Sequence, residues 1–296
     1  MTKIATDRIL NRDLSRAAVK DYRERAAPVL ASVVDEGIAV FERCSSSANG
    51  YDENLGVLFP ALHVFEMLDG VDILLREAAV VPSRPLLRSA FETKLSVEYV
   101  TQQDTKRRGA AYVVVDIHRR IRAYRRYDGT SVASKELMAE FRKDKVGSSI
   151  QLPTEPEAEK KVQALTKLFA KAHLKEAAEE HERLTGIGRK NPPFYSFWGG
   201  PTDVQQLARR LGRGAQYEIL YRTWSLTAHG TDLGRQLTQE DGVAAIRVFR
   251  DPEDIATTYS LAISFGLETM RALLTYYRPD ELEGSFARWY LGFVTK

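Results

Sequence analysis

Apolar residues three and four apart recur along nearly the whole of this 296-residue chain, and that spacing is the signature of helices that bury one face. Period-two alternation, the mark of a half-buried strand, occurs only around Val243 to Phe249. The expected fold class is therefore all-α, a multi-helix bundle with at most one short β-hairpin near 243–249. Helices are expected at about 8–25, 27–46, 55–79, 84–102, 105–127, 134–145, 155–186, 203–211, 216–229 and 253–277, with a short last turn near 281–293.

The chain is long enough to bury a large core. The expected organisation is an N-terminal helical extension over residues 1–50 and a main helical domain over 51–296, with a charged helical insert at about 130–190. Lys plus Arg number 43 against 40 Asp plus Glu, so the molecule lacks the overall basic excess of a nucleic-acid coat and any charge argument must be local. Cys44 is the only cysteine, which rules out an intrachain disulfide and a cysteine metal cluster. The longest charge-free run is the thirteen residues Ile255 to Leu267, short of the ~20 needed to cross a bilayer. The expected location is the cytoplasm, with no membrane partner.

Several boundaries carry a physical signature. Thr154 with Glu157, and Thr202 with Gln205, have the spacing of capping boxes, and Asp251-Pro252 suits a cap and first helical position. Gly186, Gly212 and Gly230 each follow a periodic segment, where a left-handed residue closes a helix. The segment Arg189 to Pro201 has three prolines and four aromatics, too irregular for a helix and too apolar for a free linker. It is expected to be an ordered loop, either a lid or a connector anchored by its aromatics. The seam Val162, Leu165, Phe169 and Ala172 on the charged helix suits a partner helix, within the chain or across a dimer.

The best site candidate lies on the helix Tyr217 to His229. With 100° per residue and Arg222 as zero, Glu218, Ser225 and His229 all fall within about 60° of it. This narrow stripe lacks lysine and sits on an otherwise apolar helix, so a buried or cleft-lining position is expected. His229, in the last turn, is favoured in its protonated form by the partial negative charge of the helix end. An imidazole that moves protons beside a guanidinium that stabilises phosphate charge suits phosphodiester cleavage. The same residues also suit a buried hydrogen-bond network in which His229 is a cap.

Three further sets stand out. Arg88, Glu92 and Ser96 share a stripe on the helix 84–102, on which Lys94 and Glu98 form a second pair four apart. With Lys94 and Glu98 marking the wet side, Arg88 and Glu92 are expected to turn inward as a structural clamp. His63 and Glu66 lie in a very apolar segment, where the default reading is a core histidine with its hydrogen bonds satisfied; the chain lacks the paired Glu-x-x-His repeats of a di-iron bundle, so no metal and no other cofactor is expected. Between Lys106 and Arg126 eight Lys or Arg stand against the single Asp116, with Arg108, Arg119, Arg122 and Arg126 on one face and Val114, Ile117 and Ile121 on the other. Arginines suit bidentate phosphate contacts, from RNA or a nucleotide, although a solvated face bridged to acidic neighbours has the same composition. Phosphate-binding glycine loops, dinucleotide fingerprints, His-Glu-x-x-His and nucleophile elbows are all missing from the sequence.

The motifs Leu87-Arg-Ser-Ala-Phe-Glu92 and Tyr217 through Tyr221-Arg222 to Ser225 and His229 resemble an uncharacterised bacterial family of all-helical proteins, domain of unknown function family 5677, over about residues 55–277 outside much of the charged insert. Arg222 and His229 also resemble the Arg-x(4 to 6)-His motif of the HEPN superfamily, at its longest spacing. Active members of that superfamily are metal-independent ribonucleases of toxin and antiviral systems. The resemblance implies that Arg222 and His229 are catalytic and that a homodimer brings two sites together. The alternative from another class is a non-catalytic helical binding or scaffold module whose polar stripes hold the core together or hold a small anionic ligand.

Overall fold

The three-and-four apolar period becomes helix almost everywhere it occurs. The computed structural model describes residues 9–48, 51–145, 147, 157–222, 237–240, 243–246 and 248–294. In chain order the main helices are α1 (Arg12–Ala18), α2 (Ala27–Ser47), α3 (Tyr51–Leu75), α4 (Val80–Gln102), α5 (Thr105–Tyr127), α6 (Val132–Lys143), α7 (Ala158–Leu168), α8 (Ala172–Gly186), α9 (Val204–Arg210), α10 (Ile255–Tyr277) and α11 (Ala287–Val294). One antiparallel hairpin, Leu237–Glu240 with Val243–Ile246, pairs Leu237 with Ile246 and Glu240 with Val243. The fold is therefore the all-α bundle with one short hairpin that the periodicity requires. Two compact units divide the chain: residues up to 103 together with those from 204 onward, and residues 104–203.

In the first unit α2, α3, α4 and α10 pack on one another. Leu30, Val33, Phe65, Leu68, Phe91, Leu95, Phe265 and Leu273 are fully buried there. Each such side chain contributes about 1.5–3 kcal/mol relative to exposure. The rings of Phe91 and Phe265 lie 5.6 Å apart between α4 and α10. Two glycines let α2 approach its neighbours: a Cβ on Gly37 of α2 would stand 2.2 Å from the Phe65 ring of α3, and one on Gly266 of α10 2.5 Å from Val33 Cγ1 of α2. The N-terminal helix α2 thus shares the core of α3, and the stretch expected at 130–190 falls within the second unit.

In the second unit α5 buries Ala111, Val114, Ile117 and Ile121 against α7 and α8. The single helix expected over 155–186 is instead two. The N–H groups of Phe169, Ala170 and Lys171 bond three residues back, to Thr166, Lys167 and Leu168, which tightens and ends α7. The bend sets Phe169 against His118 of α5 and lets both α7 and α8 lie along α5. The segment after α8 is a connector held by its aromatics: Phe194 and Phe197 are buried in a 3-10 turn, Phe194–Gly199. Tyr112 meets Phe194 edge-on, Arg107 lies 4.0 Å over the Trp198 ring, and the Trp198 N–H donates to Glu180 Oε1 at 2.8 Å.

The expected start and stop signals are partly displaced. Asp251 accepts from the Glu253 N–H in a tight turn, and α10 begins only at Ile255, after Asp254 in a left-handed conformation. Gly212 has the expected positive φ, +72°, but the residue that closes α8 in this way is Gly188 (+88°), two positions beyond Gly186. Glu157 caps α7 without a side-chain bond, and the Gln205 amide donates to Glu218 Oε1 at 3.1 Å. Thr154 and Gly230 lie outside the described residues.

Candidate functional site

The helix that carries the principal stripe begins at Gly214 and is π-wound from Tyr217 to Arg222. A π turn bonds i to i+5 and so departs from the 100° per residue assumed by an α-helical wheel. Glu218 accordingly faces solvent, bonded to Gln205, and is not inward as its wheel position suggested. Leu220 is the buried member of the turn, Ile219 is exposed, and the rings of Tyr217 and Tyr221 stack at 4.7 Å. The side chain of Arg222 and the whole of Ser225 and His229 lie outside the described residues.

Arg88 meets this helix as its charged counterpart. Its guanidinium lies 3.8 Å over the Tyr221 ring while its Nε donates to Glu92 Oε1 at 2.9 Å. Burial works against the Arg88 charge, but Glu92 and Tyr221 outweigh it and raise the pKa above its ordinary value. Ser96 is turned away from the pair, with its hydroxyl on the Glu92 carbonyl. One residue along α4 from Arg88, Ser89 Oγ lies 3.1 Å from His63 Nε2, and Glu66 Oε2 lies 3.4 Å from His63 Nδ1. His63 is a half-buried side chain at the edge of α3 and α4, not a core histidine, because its ring is 41% exposed.

The inward pair on α4 is the other one. Lys94 is completely buried, with Glu98 Oε1 at 3.2 Å and Glu268 of α10 in contact with its ammonium. Arg213 closes the cluster, its Nη2 3.0 Å from Glu98 and 3.3 Å from Glu268. Two cations and two carboxylates thus balance inside the first unit. Arg88 and Glu92, expected to be the inward clamp, are the more exposed pair at 19% and 35%. The reason is in the helix phase: seven residues return almost to the starting angle, so Lys94 continues the apolar seam of Leu87 and Phe91. Its wet-side reading rested on charge alone.

In the second unit the arginines of α5 divide. Arg108 is buried, at 6% exposure, and does not join an exposed row. Arg119, Arg122 and Arg126 are exposed, flanked by Arg120 and Arg125. Asp116 answers Arg120 at 2.8 Å and reaches Arg119 only at 3.8 Å. Partial burial, then the neighbouring charges of Arg119 and Arg126, lower the Arg122 pKa. Such crowding marks a cationic face that a bound anion would relieve.

Beside that face stands a pair that the sequence reading overlooked. The His118 ring is sandwiched between His181, 3.7 Å away at 11°, and Phe169, 4.6 Å away at 24°. Burial, His181, Arg122 and Arg125 together push the His118 pKa down to about 4, and burial with Arg122 lowers that of His181. Both rings are therefore neutral near pH 7. Their signal was available, since His118 lies four residues after Val114 and three before Ile121 on the apolar seam of α5.

Among the described residues no three His, Cys, Asp or Glu side chains come together in a way that could hold a metal ion. Among them, too, no helix is long and apolar enough to cross a membrane. No curated protein and no solved structure matches the chain. A family model does, over residues 57–243, a span that contains both Leu87 to Glu92 and Tyr217 to His229, and the chain belongs to that family, a family of unknown function (DUF5677).

Proposed function

We propose that this chain acts on RNA as a metal-independent ribonuclease, in which the arginines of α5 hold phosphates while Arg222 and His229 cut. The observation that carries the proposal is the exposed row Arg119, Arg122 and Arg126, to which, among the described residues, Asp116 is the carboxylate that forms an ion pair. Guanidinium groups spaced along one helix face match successive phosphates and bind them bidentately. In the cut, the neutral form of His229 accepts the proton of a ribose 2′-hydroxyl, whose oxygen attacks the adjacent phosphorus, and the helix end stabilises the imidazolium so formed. Arg222 stabilises the charge that builds on the phosphate oxygens, and the 5′-oxygen leaves as the P–O bond breaks, taking the proton back from the His229 imidazolium. The products are a 2′,3′-cyclic phosphate and a 5′-hydroxyl, with no metal required. A homodimer, placing two such sites in one particle, belongs to the same proposal.

Purified protein in excess chelator with a labelled single-stranded RNA tests it. Cleavage to cyclic-phosphate ends is expected, and His229→Ala should abolish it with an unchanged circular dichroism spectrum. The triple variant Arg119→Ala, Arg122→Ala, Arg126→Ala should weaken RNA binding and reduce the salt slope by about 2, at ~0.7 per single-strand phosphate contact. Intact RNA with the wild-type protein, or undiminished cutting by the His229 variant, sinks the cleavage reading. Binding without cutting would favour a non-catalytic helical module, to which the internally balanced Lys94 cluster also lends support.

A further inference from the structure

The N-terminal helical run and the end of α3 form a second cationic site, in the first unit. Arg16, Lys20, Arg23 and Arg76, with Ala17 and Glu24, line an open groove of about 500 Å³. That volume falls within the roughly 300–1,000 Å³ of small-ligand sites. Four cations and one carboxylate line the groove, and Glu77 and Asp72 behind it offset part of that charge.

Two of the guanidinium groups are fixed from behind. Arg16 commits its Nε to Glu77, at 3.0 and 3.2 Å to the two oxygens, and Glu77 is itself anchored by Arg250 Nη1 at 2.8 Å. Arg76 commits its Nε to Asp72 at 2.7 Å, and the buried Asp72 accepts the Tyr22 hydroxyl at 2.8 Å. The terminal Nη groups of both arginines have no hydrogen-bond partner among the described residues, and neither has the Arg23 side chain. Lys20 reaches only Glu24, at 3.9 Å with both side chains largely exposed. Oriented guanidinium forks with open Nη edges are what a tetrahedral oxyanion needs.

We propose that this groove binds two linked phosphate groups, as inorganic pyrophosphate or as the phosphate tail of a nucleotide. Arg16 and Arg76 are two separately fixed guanidinium groups, each able to hold one phosphate, and Lys20 and Arg23 add two more cations, so two linked phosphates engage the whole groove where a single one engages part of it. The lining offers no aromatic ring and Ala17 as its one apolar residue, so the site reads phosphates and leaves any nucleoside in solvent. The proposal does not depend on RNA cleavage or on the α5 arginines.

Isothermal titration calorimetry on the full chain at low ionic strength tests it with pyrophosphate, orthophosphate and ATP. Pyrophosphate should bind at least about tenfold more tightly than orthophosphate, a difference of ~1.4 kcal/mol, and ATP should match pyrophosphate. The double variant Lys20→Ala, Arg23→Ala, at exposed positions, should weaken pyrophosphate at least about tenfold. Its melting temperature without ligand should equal that of the wild type; if it does not, Lys20→Gln, Arg23→Gln takes its place. The α5 triple variant should bind pyrophosphate as the wild type does. Pyrophosphate binding no tighter than orthophosphate, unaffected at Lys20 and Arg23, or lost in the α5 variant would overturn the proposal. So would ATP binding much more tightly than pyrophosphate, since the site would then read a base.

Discussion

Replacing Lys94 with methionine removes the one completely buried charge of a cluster whose other members are partly exposed, and keeps most of the side-chain volume. In the native protein the ammonium stands 3.2 Å from Glu98 and in contact with Glu268, and Arg213 supplies the second positive charge. At an effective dielectric of about 20, charges that close attract by about 5 kcal/mol, against which stands the cost of desolvating the ammonium. Without Lys94 the two carboxylates share one guanidinium and repel each other. Loss of one partner from a buried ion pair costs about 3–5 kcal/mol, and that is the destabilisation expected for Lys94→Met. Urea unfolding followed by circular dichroism reads it directly: at an m-value of about 2 kcal/mol/M, the midpoint should fall by roughly 1.5–2.5 M. Adding Glu268→Gln leaves Glu98 facing Arg213 in balance and should restore a substantial part of the loss. A Lys94→Met midpoint within about 0.5 M of the wild type would refute the reasoning, as would a double variant less stable than the single one.

Gly37→Ala and Gly266→Ala each place a methyl group inside contact distance of a buried neighbour, Phe65 or Val33, and should each destabilise by about 1–3 kcal/mol in the same assay. The His118 pKa is depressed to about 4, so the unfolded chain, with an ordinary value near 6.5, takes up the proton first. Stability should therefore fall as pH drops from about 6.5 to 4, by on the order of 2 kcal/mol from this ring, and His118→Phe should flatten that slope in pH-dependent unfolding. Glu180→Leu leaves the Trp198 N–H without its acceptor and should cost about 1–3 kcal/mol, read locally as faster hydrogen exchange of the Trp198 amide.

Local pattern specifies most of the secondary structure. The helices expected at about 27–46, 105–127 and 253–277 appear as Ala27–Ser47, Thr105–Tyr127 and Ile255–Tyr277, and Val243–Ile246 is a strand. These elements follow from neighbours three, four or two residues apart, which the sequence displays directly. The hairpin's first strand, Leu237–Glu240, was less visible because four residues make a weak alternation, although Asp-Gly at 241–242 is a sequence pair favoured in hairpin turns. Family membership was also legible, in Leu87 to Glu92 and Tyr217 to His229.

Which face of a helix is buried was not decided locally. Lys94 is interior because Glu268 lies 174 residues away on α10 and Arg213, after α9, reaches Glu98 115 residues back. Arg88 is the more exposed charge because its partners, Glu92 and Tyr221, sit at the edge of the packing. The break at Phe169 to Lys171, the π winding at Tyr217 to Arg222 and the stacking of His118 on His181 likewise exist only once separate helices are in contact. The sequence by itself determined the periods, and hence the helices and the residues available to each face. Tertiary structure decided the burial of charge, because the desolvation cost of an ion depends on which distant groups compensate it.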